Sequence, residues 1–113
     1  MAQQANDDAP PTFSGQVSNR YVDVDRALFV YFTDGGRTFW HTHPGPQTLI
    51  VTEGRGWFQY WGEEKFAIDV GDVIEVRDGE KHWHGAQRGH DMTHFATVPA
   101  GKATWLEEVS DPD

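Results

Sequence analysis

The sequence predicts an all-β domain, a sandwich or a barrel, on three observations. Strand-forming runs recur at short intervals, turn residues separate them, and no segment holds an apolar period of 3.6 over three turns. A chain with this pattern hides its apolar side chains by packing sheet on sheet or by closing one sheet on itself. Its 113 residues give room for one domain, and a 37% hydrophobic share with 13% aromatics supplies a modest core.

The elements follow in chain order. Residues 1–11 are polar, end in Pro10-Pro11 and read as a flexible N-terminal tail, leaving 12–113 as the barrel domain. The run 27–33 (ALFVYFT) is rich in β-branched and aromatic residues and closes on the turn residues Asp34-Gly35-Gly36. A strand over 38–43 ends at Pro44-Gly45-Pro46, and strands over 47–52 and 56–61 flank a turn at Glu53-Gly54. Further strands are expected over 65–70, Val73–Val76, 92–98 and 104–109, divided by Gly71-Asp72, Asp78-Gly79 and Gly101. The last eight residues, 106–113, are acidic and read as surface or frayed chain, and the 5 Trp read as core or interface residues.

Charge and composition narrow the function. A net charge of −9 with only 9 scattered basic residues argues against nucleic acid and against anionic membrane surfaces. No apolar run approaches the roughly 18 residues of a membrane span. The start MAQQANDDAPP has neither the basic nor the apolar region of a secretion signal, which points to the cytoplasm. Without cysteine, a metal site has to use imidazole, amide or carboxylate.

Chemistry concentrates in two H-x-H pairs. Side chains alternate along a strand, so His41 and His43 share a face and can grip one ion together. The bend at Pro44-Gly45-Pro46 returns the chain so that Gln47, on one face with Leu49 and Val51, comes back to the same place. His82 and His84 repeat the spacing 35 residues after Gln47 in Lys81-His82-Trp83-His84, and His94 shares a strand face with Met92 and Ala96. A lone strand histidine is more often a satisfied or exposed residue than a ligand. Two pairs in a chain with 6 His form a stronger signal, and His90, beside Arg88-Gly89, reads as a loop residue without a role.

Two motifs carry a family resemblance. Gly35-x5-His41-x-His43-x3-Gln47-x6-Gly54 resembles the first cupin motif, with Gln where Glu is commoner. Gly71-x5-Arg77-x-Gly79-x2-His82-x3-Ala86 resembles the second, with Arg and Ala where Pro and Asn are usual. The resemblance implies a jelly-roll β-barrel holding one divalent metal ion inside, with His41, His43, Gln47 and His82 as ligands. Within the family, WHTHPGPQTLIVTEGRGW, GEKHWHGA, MTHFA and TWLEEVSD look like the small manganese-dependent bacterial cupins that include hydroxynitrile lyases.

That closer likeness implies a lyase that cleaves or forms cyanohydrins, with the ion as Lewis acid, His94 as base and His84 assisting. Mn²⁺ is the expected ion, although the ligand types also suit Fe²⁺, Ni²⁺, Co²⁺ and Zn²⁺. A neutral Gln47 leaves the site at the ion's full +2, whereas Glu would reduce it to +1. Leu28, Val30, Phe39, Leu49, Met92 and Val98 are expected to line the substrate pocket. Leu28 stands where the lyases carry a smaller residue and Val98 where they carry Gln, so the pocket is smaller and drier. Two other classes fit the same features: an oxygenase of the quercetin-dioxygenase kind, and a non-enzymatic small-molecule or sugar-binding module. A homodimer or homotetramer is expected, because so short a barrel leaves Phe29 and Tyr31 on an outer face.

Overall fold

The computed structural model describes residues 13–23 and 27–110, so the expected tail 1–11 and the last three residues lie outside the described part. Among the described residues all regular structure is strand: β1 (Phe13–Asp23), β2 (Ala27–Thr38), β3 (His41–Thr42), β4 (Gln47–Tyr60), β5 (Phe66–Asp69), β6 (Val73–Val76), β7 (His82–Ala86), β8 (Met92–Thr97) and β9 (Thr104–Trp105). Every pairing is antiparallel. β2 pairs with β8, β8 with β4, β4 with β7 and β7 again with β2, which closes the barrel. β1 extends the sheet beside β2, β5 and β6 pair with β4, and β3 lies between β7 and β9.

Two of the expected turns are bends within continuous strands. Asp34 (φ 43°) and Gly35 (φ 77°) sit inside β2, which pairs with β8 before them and meets β7 at Arg37 after them. Gly54 (φ 77°) sits inside β4, which pairs with β6 through Gln47–Ile50 and with β5 and β7 from Arg55 and Gly56 onward. The left-handed backbone of these residues is what the sequence signals. A bulge uses it to hand one strand from one neighbour to the next, as the register shift between Val51 and Glu53 records.

β2 alternates as an amphipathic strand should. Val30 and Phe32 point inward at 8% and 1% exposure, while Phe29 and Tyr31 point outward and are half-buried. The interior is packed by Phe32, Leu49, Val51, Phe58, Ile68, Val76 and Met92. A second cluster of Trp40, Trp83 and Val109 lies beside it, with Trp57 against them. Of the two readings of the stretch from 106, Leu106, Glu107, Glu108 and Ser110 are exposed as surface, but the chain is not frayed: Trp40 N donates to Glu107 O at 3.0 Å, Leu106 N donates to Trp40 O at 2.8 Å, and Val109 is buried. Apolar burial against two indoles outweighs the local acidity. Trp61 is not a core residue: it is exposed, with the Lys81 ammonium 3.4 Å from its ring centre.

Candidate metal centre

The barrel brings three distant histidines together. His41 on β3 is the register partner of His82 on β7, and His43 follows β3 directly, ahead of the Pro44-Gly45-Pro46 bend. One ring nitrogen of each lies within 4.8 Å of the other two, and all three residues are buried.

The backbone fixes how the rings present themselves. His41 Nδ1 lies 2.8 Å from Phe39 O, His82 Nδ1 2.7 Å from Glu80 O and His43 Nδ1 3.2 Å from Gly45 O. A carbonyl only accepts, so each Nδ1 donates its hydrogen and each neutral ring keeps its lone pair on Nε2. His43 Nε2 and His82 Nε2 are buried without a partner. Buried acceptors left bare are costly, and a shared cation satisfies them.

Burial also keeps His41 and His82 neutral. It pushes the His41 pKa down to about 3, with the neighbouring His82 adding to the shift and the Phe39 carbonyl opposing it. It pushes His82 down to about 4, against the opposing pull of the Glu80 carbonyl. The neutral imidazole is the form that ligates a metal, so His41 and His82 are ready for a divalent ion at neutral pH. Phe58 lies parallel to His82 (5.5 Å between centres, 11°) and to His84 (6.0 Å, 5°), which holds both rings from below.

A cavity of about 220 Å³ opens against this group. Gln47, His84 and His94 line it with His41 and His43, and its apolar wall includes Leu28, Val30, Ala96 and Val98. His94 Nε2 and His84 Nδ1 are 3.0 Å apart, so one proton lies between the two rings. Burial lowers both: His94 to about 4, and His84 well below its ordinary value, with His94 as the next contributor. The pair is therefore neutral at pH 7 and can take up or pass on a proton within an apolar wall.

Of the expected lining residues, Leu28, Val30 and Val98 border the cavity, and Phe39, Leu49 and Met92 lie away from it. Leu49 and Met92 face inward as alternation requires, but each lies deeper along its strand in the fully packed core. Phe39 falls in the break between β2 and β3, where strict alternation lapses, and contributes its carbonyl to His41 instead. The sequence reading missed Thr38, Pro99, Ala103 and Trp105. Thr38 Oγ1 accepts from His84 N at 3.2 Å, and Trp105, the register partner of His41 on β9, lies over the His41 ring at 4.5 Å and 34°. The alternation that marks Ala96 beside His94 could have signalled that wall; nothing local marks Trp105.

A closed antiparallel barrel with three inward histidines and a small apolar cavity defines a metal-site type of β-barrel. The chain belongs to the cupin-domain family Cupin_2, whose model matches residues 28–99. It is 52% identical over 85 residues to an (R)-mandelonitrile lyase of Granulicella tundricola, a match spanning 73% of this chain and 65% of that protein. Among solved structures, a cupin-like protein of Thermotoga maritima is 34% identical with a TM-score of 0.83, covering 88% of this chain and 83% of the other. A polyketide cyclase of Streptomyces resistomycificus shares the fold at 17% identity and a TM-score of 0.74, over 99% of this chain and 89% of its own. Among the described residues no helix is long and apolar enough to cross a membrane.

Proposed function

We propose that this protein is a metal-dependent lyase that cleaves or forms cyanohydrins, with one Mn²⁺ per chain held by His41, His43, Gln47 and His82. The observation that carries the metal centre is the orientation of its rings: each Nδ1 is spent on a backbone carbonyl, and the Nε2 atoms of His43 and His82 are buried and bare. The cyanohydrin reading draws on the (R)-mandelonitrile lyase relative.

When bound, the divalent ion supplies Lewis acidity toward a substrate oxygen. The chain's own residues account for the rest. Leu28, Val30, Ala96 and Val98 take the organic group and exclude water. His94, supported by His84, takes the cyanohydrin hydroxyl proton as the bond between the carbinol and nitrile carbons breaks. The electron pair of that bond leaves with cyanide, the carbinol becomes an aldehyde, and the proton held by the pair passes to cyanide. A base whose pKa lies near 4 is weak, so His94 would rely on the Lewis acidity supplied by an ion held at His41, His43, Gln47 and His82.

An apolar row on the outer sheet face supports a homodimer or homotetramer. Phe29, Phe95, Ile50 and Val73 follow one another across four strands in register. Light scattering tests that assembly directly.

The reaction is tested by following benzaldehyde release from mandelonitrile with Mn²⁺-loaded and metal-stripped protein, with and without oxygen. Release should require metal and ignore oxygen, and His94→Ala should lose about 10²–10⁴-fold while retaining its metal. Oxygen uptake with flavonols in place of release would assign the protein to the oxygenases. Inactivity in both assays would leave a binding module.

A further inference from the structure

The cavity is covered by residues 98–103, the connection from β8 to β9, which place Val98, Pro99, Gly101 and Ala103 on its wall. The cover is fixed at both ends. At the start, Thr97 accepts from two residues of β4: its Oγ1 from Thr48 N at 2.9 Å and its carbonyl from Gln47 Nε2 at 2.8 Å. At the far end, Trp105 pairs with His41 and Leu106 N donates to Trp40 O at 2.8 Å. Between these anchors the cover rests on the Pro44-Gly45-Pro46 bend by close van der Waals contact. A Cβ on Gly101 would fall 2.6 Å from Pro44 Cγ, and one on Gly45 would fall 2.9 Å from Ala100 Cβ. The bend that sets Gln47 is thus also the seat of the cover.

Gln47 touches both systems through its side chain. It lines the cavity beside His41 and His43, and its amide nitrogen holds the first carbonyl of the cover. The Thr97 carbonyl can only accept, so the amide has to turn its NH₂ toward it, which leaves the oxygen branch for the cavity side. We infer that Gln47 is a positioning residue that couples the metal centre to the cover, its nitrogen tethering Thr97 and its oxygen serving the ion. This rests on the proposed metal centre. A carboxylate at this position would supply the oxygen ligand equally well but no donor, and it would set two acceptors against each other at Thr97. The amide is therefore selected by the cover as well as by the charge of the site, and metal binding steadies the lid over the substrate.

Hydrogen–deuterium exchange on the full chain tests the coupling, with Mn²⁺ as the probe and its binding measured separately by titration calorimetry. In the unaltered protein, saturating Mn²⁺ should slow exchange at the amides of 98 and 100–103 by about three- to tenfold, the equilibrium effect of one net hydrogen bond. In Gln47→Glu, Mn²⁺ should still bind but leave exchange of the cover unchanged. Should the Glu variant fail to fold, Gln47→Met, of similar volume and with neither donor nor oxygen, should bind Mn²⁺ more weakly and at saturation leave exchange of the cover unchanged. Equal slowing in the variants, or bound Mn²⁺ without slowing in the unaltered protein, overturns the coupling while sparing the metal centre. Failure of the unaltered protein to bind Mn²⁺ overturns both.

Discussion

The two halves of the barrel interior are built by the same strands and filled in opposite ways. β8 gives Met92 to the packed half and His94 to the cavity, with Ala96 in both; β4 gives Leu49 and Val51 to the one and Gln47 to the other; β2 gives Phe32 to the one and Leu28 to the other, with Val30 in both. The packed half is filled by apolar contact. The cavity half keeps bare nitrogen atoms on His43, His82 and His94, held open by a shell of backbone carbonyls and aromatic rings. The position of a residue along its strand, beyond which way it faces, therefore decides whether it serves packing or chemistry.

Acid should break the difference most severely. The folded-state pKa values of His41, His82 and His94 lie below 6.5, at about 3, 4 and 4. As pH falls, the unfolded chain takes up these protons first, so the stability they contribute is full above about pH 6.5 and lost as pH drops toward 4. Each group costs about 1.4 kcal/mol per unit across that window. Metal-free protein should lose melting temperature steeply between pH 6.5 and 5, above the range where ordinary carboxylates titrate. Bound Mn²⁺ should delay the loss. A melting temperature that is flat from pH 7 to 5 in the metal-free protein would contradict neutral, buried rings.

A pair of truncations sharpens the comparison. Phe58→Ala, at a fully buried ring of the packed half, should cost about 3–5 kcal/mol in urea denaturation of the metal-free protein. His82→Ala should abolish stoichiometric Mn²⁺ binding, seen by elemental analysis, yet cost the metal-free fold less, because its Nε2 has no partner to lose. Equal stability losses would mean that the histidines are structural.

The smallest effect is expected at the cavity wall. Leu28→Ala should enlarge the pocket and raise kcat/KM for mandelonitrile by up to about tenfold, since a methylene-scale change in a hydrophobic pocket is worth that order. Its stability cost should stay well below that of Phe58→Ala, because Leu28 is only partly buried and borders space. An unchanged or lower kcat/KM, measured at full metal loading, would show that Leu28 does not limit access.

Much of this was legible along the chain. The strand Val73–Val76 coincides with β6, and the H-x-H spacing puts His41, His43, His82 and His84 where the barrel uses them. The positive-φ residues were legible as well, but their use was not. Asp34-Gly35 and Gly54 read as chain reversals, yet they bend β2 and β4 in place, because a bulge and a turn ask the same backbone of the same residues. β7 was not set out as a strand for another reason: the H-x-H pair marks only its start, and His82–Ala86 is buried throughout, so no exposed polar face completes the pattern.

By itself the sequence determined the strand-rich class, the two histidine pairs and the inward face of each regular strand, since these follow from the two-residue period of a β-strand. Only the tertiary structure decided how deep each inward residue lies, which is why Leu49 and Met92 are core and Gln47 and His94 are site. It alone brought Trp105 over His41 and buried Val109 against Trp40 and Trp83. Those contacts join residues tens of positions apart through strand pairing, and no local pattern encodes which strand will be the neighbour.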